Sequence, residues 1–164
     1  MILFKMPKTQ EIIYLETSVI SAFFDFKKQN NERRKITRKF FQEELGKYHA
    51  FISDAVMKEL QNTPNPKHKE NFLDLVRNIP SLYLNRETID LAQSYIKNKI
   101  IPVGKLFDAY HLSIAIVNKI DILVSWNYNH LANKITQDRV NAFNVGNNYS
   151  KIVIEFPTKL LTPK

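Results

Sequence analysis

Glu11-Ile12-Ile13-Tyr14-Leu15 runs directly into Glu16-Thr17-Ser18. The first five residues form a short β-branched and aromatic run, and the next three are polar types that close a strand or cap a helix. The stretch therefore predicts a first strand that ends abruptly on an acid. Beyond it, Ser18 to Phe24 predicts a short helix. Asn31 to Leu45 predicts a longer one, with Ile36, Phe40 and Phe41 as its buried stripe and Gly46 closing it. Ala50-Phe51-Ile52 predicts a second strand, after which Ser53 or Asp54 can cap a helix that carries Val56, Met57, Glu59 and Leu60. Pro64 and Pro66 are expected to end that helix.

The same alternation continues. Lys67 to Asn78 predicts an amphipathic helix with Phe72, Leu75, Val76 and Ile79 on one face, and Pro80 stops it. Leu82-Tyr83-Leu84 predicts strand three, and Asn85 opens a helix with Glu87 in its first turn. After a loop over Ile101-Pro102-Val103-Gly104-Lys105, the residues from Asp108 to Asn118 are apolar on nearly every side, as in a helix buried on all faces. Ile122-Leu123-Val124-Ser125-Trp126 predicts strand four, then a turn at Asn127, a helix ending near Gly146 and a last strand at Ile152-Val153-Ile154. Strands of continuous apolar character alternating with helices imply a parallel sheet covered on both faces, in one domain over residues 1–164.

Composition bounds the partners. The 164 residues carry 24 Lys+Arg against 16 Asp+Glu, a formal charge of +8, and a basic chain attracts polyanions. The excess gathers early, where Lys27, Lys28, Arg33, Arg34, Lys35, Arg38 and Lys39 face Glu32 alone. Alone, such a run reads as a solvated helix face, and only an adjacent site raises its value. No apolar stretch approaches the roughly 20 residues of a membrane helix. Met1 to Lys8 lacks the apolar core of a signal peptide, and the chain has no cysteine, so the cytoplasm is the expected compartment.

In an open doubly wound sheet, ligands bind beyond the carboxyl ends of the strands. Glu16 ends strand one, Asn127 ends strand four, Glu59 lies on the helix after strand two, and Asp108 opens the helix leading into strand four. Carboxylates gathered in one cleft repel one another and persist when a cation is present. Oxygen ligands suit Mg2+ or Mn2+, and the lack of Cys together with four scattered His offers no zinc spacing.

Tyr14-Leu15-Glu16-Thr17-Ser18-Val19-Ile20, then Glu59, then Asp108-Ala109-Tyr110-His111-Leu112-Ser113-Ile114-Ala115, then Leu123-Val124-Ser125-Trp126-Asn127 resemble, in order, the motifs of PIN-domain proteins. The likeness covers nearly the whole chain and is closest to the VapC-type toxins. It implies a three-layer α/β/α sandwich with a mostly parallel sheet of about five strands. It also implies a Mg2+- or Mn2+-dependent endoribonuclease, commonly a homodimer held inactive by an antitoxin. The first three motif acids fall on Glu16, Glu59 and Asp108, which would hold the metal, and the fourth position on Asn127. Thr17 or Ser18 is the hydroxyl beside the first acid, suited to steady a water or phosphate. Arg33, Arg34 and Arg38 are expected to neutralise the phosphates of RNA. Glu16 is one methylene longer than the usual Asp, and Asn127 keeps an oxygen but lacks a charge, which thins the site for a second cation.

Each residue also has an ordinary role open to it. Asp108 suits a helix N-terminus, Glu16 and Glu59 suit a solvated surface, and His111 suits a partly buried, hydrogen-bonded position. His130 carries no stronger signal, and Trp126 and Tyr128 read as packing at a strand end. The rival class is a PIN-like module that has lost efficient catalysis and binds nucleic acid or a protein. A nucleotide-binding oxidoreductase or ATPase is disfavoured, because Gly46, Gly104 and Gly146 are the only glycines and none builds a phosphate loop.

Overall fold

The computed structural model describes residues 10–163, so the Met1 to Lys8 stretch considered above lies outside the described residues. Ile12–Leu15 forms β1, and Ile13, Tyr14 and Leu15 are fully buried. Such a run with no exposed face belongs in the middle of a parallel sheet. β2 is His49–Ser53, β3 Ser81–Leu82, β4 Ile122–Val124 and β5 Val153–Glu155. All four pairings are parallel and the order is β3-β2-β1-β4-β5. The chain first winds outward from β1 to β3, then crosses back to β4 and winds the other way. Right-handed crossovers in opposite directions put helices on both faces, giving a three-layer α/β/α sandwich. The turning point lies between β1 and β4, and there a cleft opens beyond the strands' carboxyl ends.

Seven α-helices cover the sheet in the described residues: α1 Thr17–Phe23, α2 Asn31–Lys39, α3 Asp54–Gln61, α4 Pro66–Val76, α5 Arg86–Lys97, α6 Leu106–Val117 and α7 Lys134–Gly146. Their starts are set by polar caps. Ser53 accepts from Val56 N at 3.3 Å, Asn65 from His68 N at 3.0 Å and Asn133 from Thr136 N at 2.8 Å. Pro66 is not a terminator of the preceding helix but the first residue of α4, where a missing N–H is harmless. α6 buries Ala109, Leu112, Ile114, Ala115 and Ile116, which explains its lack of a polar stripe. None of the helices is long and apolar enough to cross a membrane among the described residues.

Several element bounds shift by a residue or two from the sequence expectation, and at two strand ends a side chain takes over a backbone bond. β3 stops at Leu82, since Leu84 N donates to the Asp54 carboxylate at 3.1 Å and Asn85 then caps α5; Tyr83 is left exposed. β4 stops at Val124, since Trp126 N donates to Ser18 Oγ at 2.8 Å and Asn127 N to Ser125 Oγ at 2.9 Å. The long helix predicted to Leu45 is α-helical only to Lys39. It continues as a π-helical turn over Phe40–Glu44 and a 3-10 turn over Leu45–Lys47 that contains Gly46. Beyond that change of register Glu44 turns inward to Lys47 at 2.7 Å and Thr162 Oγ1 at 2.9 Å, tying the helix end to the C-terminal segment.

The start of α5 provides a stability test away from the cleft. Asn85 accepts from Thr88 N at 3.0 Å and Thr88 Oγ1 accepts from Asn85 N at 2.9 Å, a reciprocal cap. Asn85→Ala is expected to lower unfolding stability by about 1 kcal/mol in a urea titration, with the slope unchanged.

Candidate metal centre at the carboxyl ends of β1 and β4

Glu16 is the first residue after β1, and its backbone N–H extends the ladder to Val124 O at 3.0 Å. That bond fixes the acid at the turning point of the sheet, where it is buried at 5% exposure. Its Oε2 accepts from Ser125 Oγ at 2.8 Å and from Ser18 Oγ. Glu59, in the last turns of α3, accepts on Oε2 from His111 Nε2 at 2.8 Å and from Thr17 Oγ1. Asp108 lies in the first turn of α6 and accepts on Oδ1 from Asn127 Nδ2 at 3.2 Å. Its Oδ2 is buried with no hydrogen-bond partner among the described residues.

The three acids share one arrangement. In each, protein donors engage one carboxylate oxygen: Glu16 Oε2, Glu59 Oε2 and Asp108 Oδ1. The other oxygen of each accepts no hydrogen bond among the described residues. Of the three, Asp108 Oδ2 is the one that is itself buried, and a buried carboxylate oxygen left bare is costly unless something cationic meets it. Glu16, Glu59 and His111 each offer one possible ligand atom, all within 4.8 Å of one another. Asp108 is not part of that group; two carboxylates and an imidazole could hold a divalent cation, and Asp108 stands beside them, coupled to Glu16 and His111 by charge.

The charges act on one another as expected of such a cluster. Asp108 is held above the ordinary carboxylate range, chiefly by burial and further by the charge of Glu16, against the opposing pull of His111, His130 and Lys105. Burial would also raise Glu59, but its bond to His111 and the charge of that ring outweigh it and hold Glu59 below its usual value. Burial would depress His111, but the Glu59 hydrogen bond and the charges of Glu16, Glu59 and Asp108 raise it instead. The Tyr14 hydroxyl is pushed far up by burial, so it keeps its proton.

The expected site residues are thus placed as follows. Glu16, Glu59 and Asp108 are each held at this end of the sheet, none of them as a solvated surface charge or a side-chain helix cap. Thr17 and Ser18 turn their hydroxyls onto the carboxylates of Glu59 and Glu16. Asn127 directs its amide oxygen to His130 N at 3.3 Å and its amide nitrogen to Asp108, so it holds an acid. Its amide oxygen is engaged elsewhere. Sequence reasoning missed Ser125 and the Tyr14–His111 pair; His111, expected to be partly buried and hydrogen-bonded, is hydrogen-bonded but fully buried. The signals were there: Tyr14 and Glu16 lie two apart along a strand, and His111 lies three after Asp108 on a helix, spacings that share a face.

The arginines of the basic run are partly committed to their own surface. Arg33 pairs with Asp25 at 3.1 Å, Arg34 donates to Asp25 O at 3.0 Å and Asn31 Oδ1 at 2.6 Å, and Arg38 donates to Phe23 O at 3.0 Å. Arg34 and Arg38 also lie over the exposed ring of Phe26, at 4.9 and 5.3 Å. They form an ordered cationic and aromatic face beside α1, not a loose fringe.

A family model described as PIN domain matches residues 13–138. No curated protein sequence matches the chain. Among solved structures, VapBC2 from Rickettsia felis bound to a DNA fragment from their promoter is similar in fold. The TM-score is 0.52 at 14% sequence identity, over 88% of this chain and 98% of that chain.

The raised Asp108 yields a signed prediction. A carboxylate that is harder to ionise folded than unfolded lowers stability at neutral pH, and the penalty vanishes below its unfolded value. Asp108→Asn is therefore expected to melt higher than the wild type in metal-free buffer at neutral pH. The gap should close as pH falls through the carboxylate range. A lower Tm for the variant at neutral pH counts against this electrostatic account.

Proposed function

This chain belongs to the PIN-domain family, and from that premise we propose that it is a Mg2+- or Mn2+-dependent endoribonuclease that hydrolyses phosphodiester bonds in RNA. PIN domains are generally metal-dependent nucleases. The observation that carries the reading is the shared arrangement of Glu16, Glu59 and Asp108, each with one tethered and one bare carboxylate oxygen at the turning point of the sheet.

These three residues would hold the cation through the bare oxygens. When bound, such an ion polarises a phosphoryl oxygen and lowers the pKa of a water. The chain's own groups do the rest. Ser18, Ser125 and Thr17 fix the carboxylate directions by donating to the oxygens turned away from the cation. Asn127 steadies Asp108 without adding a fourth charge, so the site favours one tightly held ion over two. Thr17 and Ser18 are close enough to the acids to position a phosphate as well. Arg33, Arg34 and Arg38 neutralise phosphates flanking the scissile bond, a contribution that weakens with salt.

The role proposed is the toxin of a type II toxin–antitoxin pair, working in the cytoplasm as a homodimer and as one domain over the full chain. Its partner would be a separate antitoxin chain, as the VapBC2 neighbour is by its name an assembly of two components. A second reading is a catalytically weakened module that binds nucleic acid or a protein. The amide at Asn127, in place of a fourth carboxylate, favours it.

Incubation of the purified protein with single-stranded and structured RNA separates the two. Cleavage is expected with Mn2+ and none with EDTA. Asp108→Asn and Glu16→Gln should each reduce the rate by more than the roughly 10–100-fold typical of losing an outer-shell group. Wild type and Asp108→Asn degrading RNA equally, or cleavage that survives chelation, would defeat the enzyme reading. Binding should also lose steepness: Arg38→Ala is expected to reduce the slope of log affinity against log salt by about one.

A further inference from the structure

His111 Nε2 lies 2.8 Å from Glu59 Oε2 and 3.9 Å from Glu16 Oε1, within a possible ligand set. We propose that His111 is not a ligand but a positioning residue, fixed by Tyr14 and Ser53 with its hydrogen on Nε2. It then aims Glu59, and the cation is held by oxygen alone. The inference rests on the cation site proposed above.

Counting hydrogens carries the argument. Behind the ring, His111 Nδ1 lies 2.7 Å from the Tyr14 hydroxyl, which lies 2.7 Å from Ser53 Oγ; all three side chains are buried. Ser53 Oγ already accepts from Val56 N as the cap of α3. Each hydroxyl has one hydrogen to give. If Ser53 donates to Tyr14 and Tyr14 donates to Nδ1, every hydrogen in the chain has an acceptor, and Nε2 carries the ring hydrogen that Glu59 accepts. In the opposite arrangement Nδ1 donates to Tyr14 and Tyr14 to Ser53. The Ser53 hydrogen then has no acceptor among the described residues, and an unprotonated Nε2 faces Glu59 Oε2 at 2.8 Å, acceptor against acceptor. Buried polar groups avoid both faults.

The consequence for Glu59 is directional. With Nε2–H and the Thr17 hydroxyl both on Oε2, the carboxylate cannot swing, and Oε1 is the oxygen left for the cation. The chain starts at the cap of α3, the helix that carries Glu59, so the same residue that starts the helix orients its functional end. Outer-shell donors of this kind set the direction and basicity of a ligand.

Long-range nitrogen NMR of isotope-labelled histidines in the metal-free protein, recorded up to alkaline pH where the ring is neutral, should find the His111 hydrogen on Nε2. A neutral ring protonated on Nδ1 would overturn the proposal. In the Mn2+-loaded protein, pulsed EPR should detect no directly coordinated nitrogen, and a coordinated imidazole signal would equally overturn it. His111→Gln can present an amide donor to Glu59 and should keep Mn2+ affinity within a few-fold. His111→Leu should lose roughly 10–100-fold. Equal affinity of the Leu variant, checked as folded by circular dichroism, would refute the positioning role. Because the NMR result needs neither metal nor RNA, inactivity toward RNA would sink the nuclease reading while leaving the tautomer result intact.

Discussion

β1 pairs with β2 on one side and with β4 on the other, and the whole site depends on that double pairing. Because β1 is the first strand of the sheet and has parallel neighbours on both sides, the crossovers must run in both directions from it, and the reversal opens a cleft at its carboxyl end. Glu16 sits there because it is the next residue in the β1–β4 ladder, with its N–H still bonded to Val124. Move that register by one residue and Tyr14 and Glu16 would swap faces with Ile13 and Leu15. The apolar run that makes β1 central is therefore also what aims the acid.

Around Glu16 the polypeptide solves an electrostatic problem with hydroxyls. Several acidic groups gathered in one cleft repel one another, and a lysine or arginine placed among them would fill the space in which the proposed cation would sit. Ser18, Ser125 and Thr17 instead donate single hydrogen bonds, which stabilise each carboxylate on one side and leave the other side open. One nitrogen base, His111, bonds Glu59 and is anchored on its other side by Tyr14. Lys105 and His130 act on Asp108 by charge, and a further cationic face is formed by Arg34 and Arg38 over Phe26.

Most of the architecture was legible in the sequence for the same reason that it is stable. Continuous apolar strands, polar caps at Ser53 and Asn85, and the uniformly apolar α6 are local patterns, and the parallel three-layer sheet is the arrangement that satisfies them together. The acids were legible because strand ends and helix starts carry position with them. What escaped depended on contacts between residues far apart. Ser125 looked like the tail of a strand, yet it bonds Glu16 across 109 positions. Tyr14 looked like core, and it is, but its hydroxyl is the link between Ser53 and His111, 39 and 97 residues away. The strand ends were misjudged for a related cause: Asp54, Ser18 and Ser125 replace ladder partners with side chains, and a propensity reading has no access to such partners.

The two departures from the usual motif, Glu16 and Asn127, are two parts of one adjustment. A glutamate at the end of β1 reaches further than an aspartate, and its added length is taken up by two hydroxyl donors on Oε2, so reach is gained without freedom. The amide at position 127 puts no charge beside Asp108, where a carboxylate would add repulsion to the burial and the Glu16 charge that already raise it. Instead its nitrogen donates to Asp108 and its oxygen closes the turn at His130. With the longer acid and the uncharged tether together, the cation proposed for this site would meet three carboxylates in place of four. Fewer charges leave more to alignment, and the alignment of Glu59 rests on the hydrogen-bonded chain behind it.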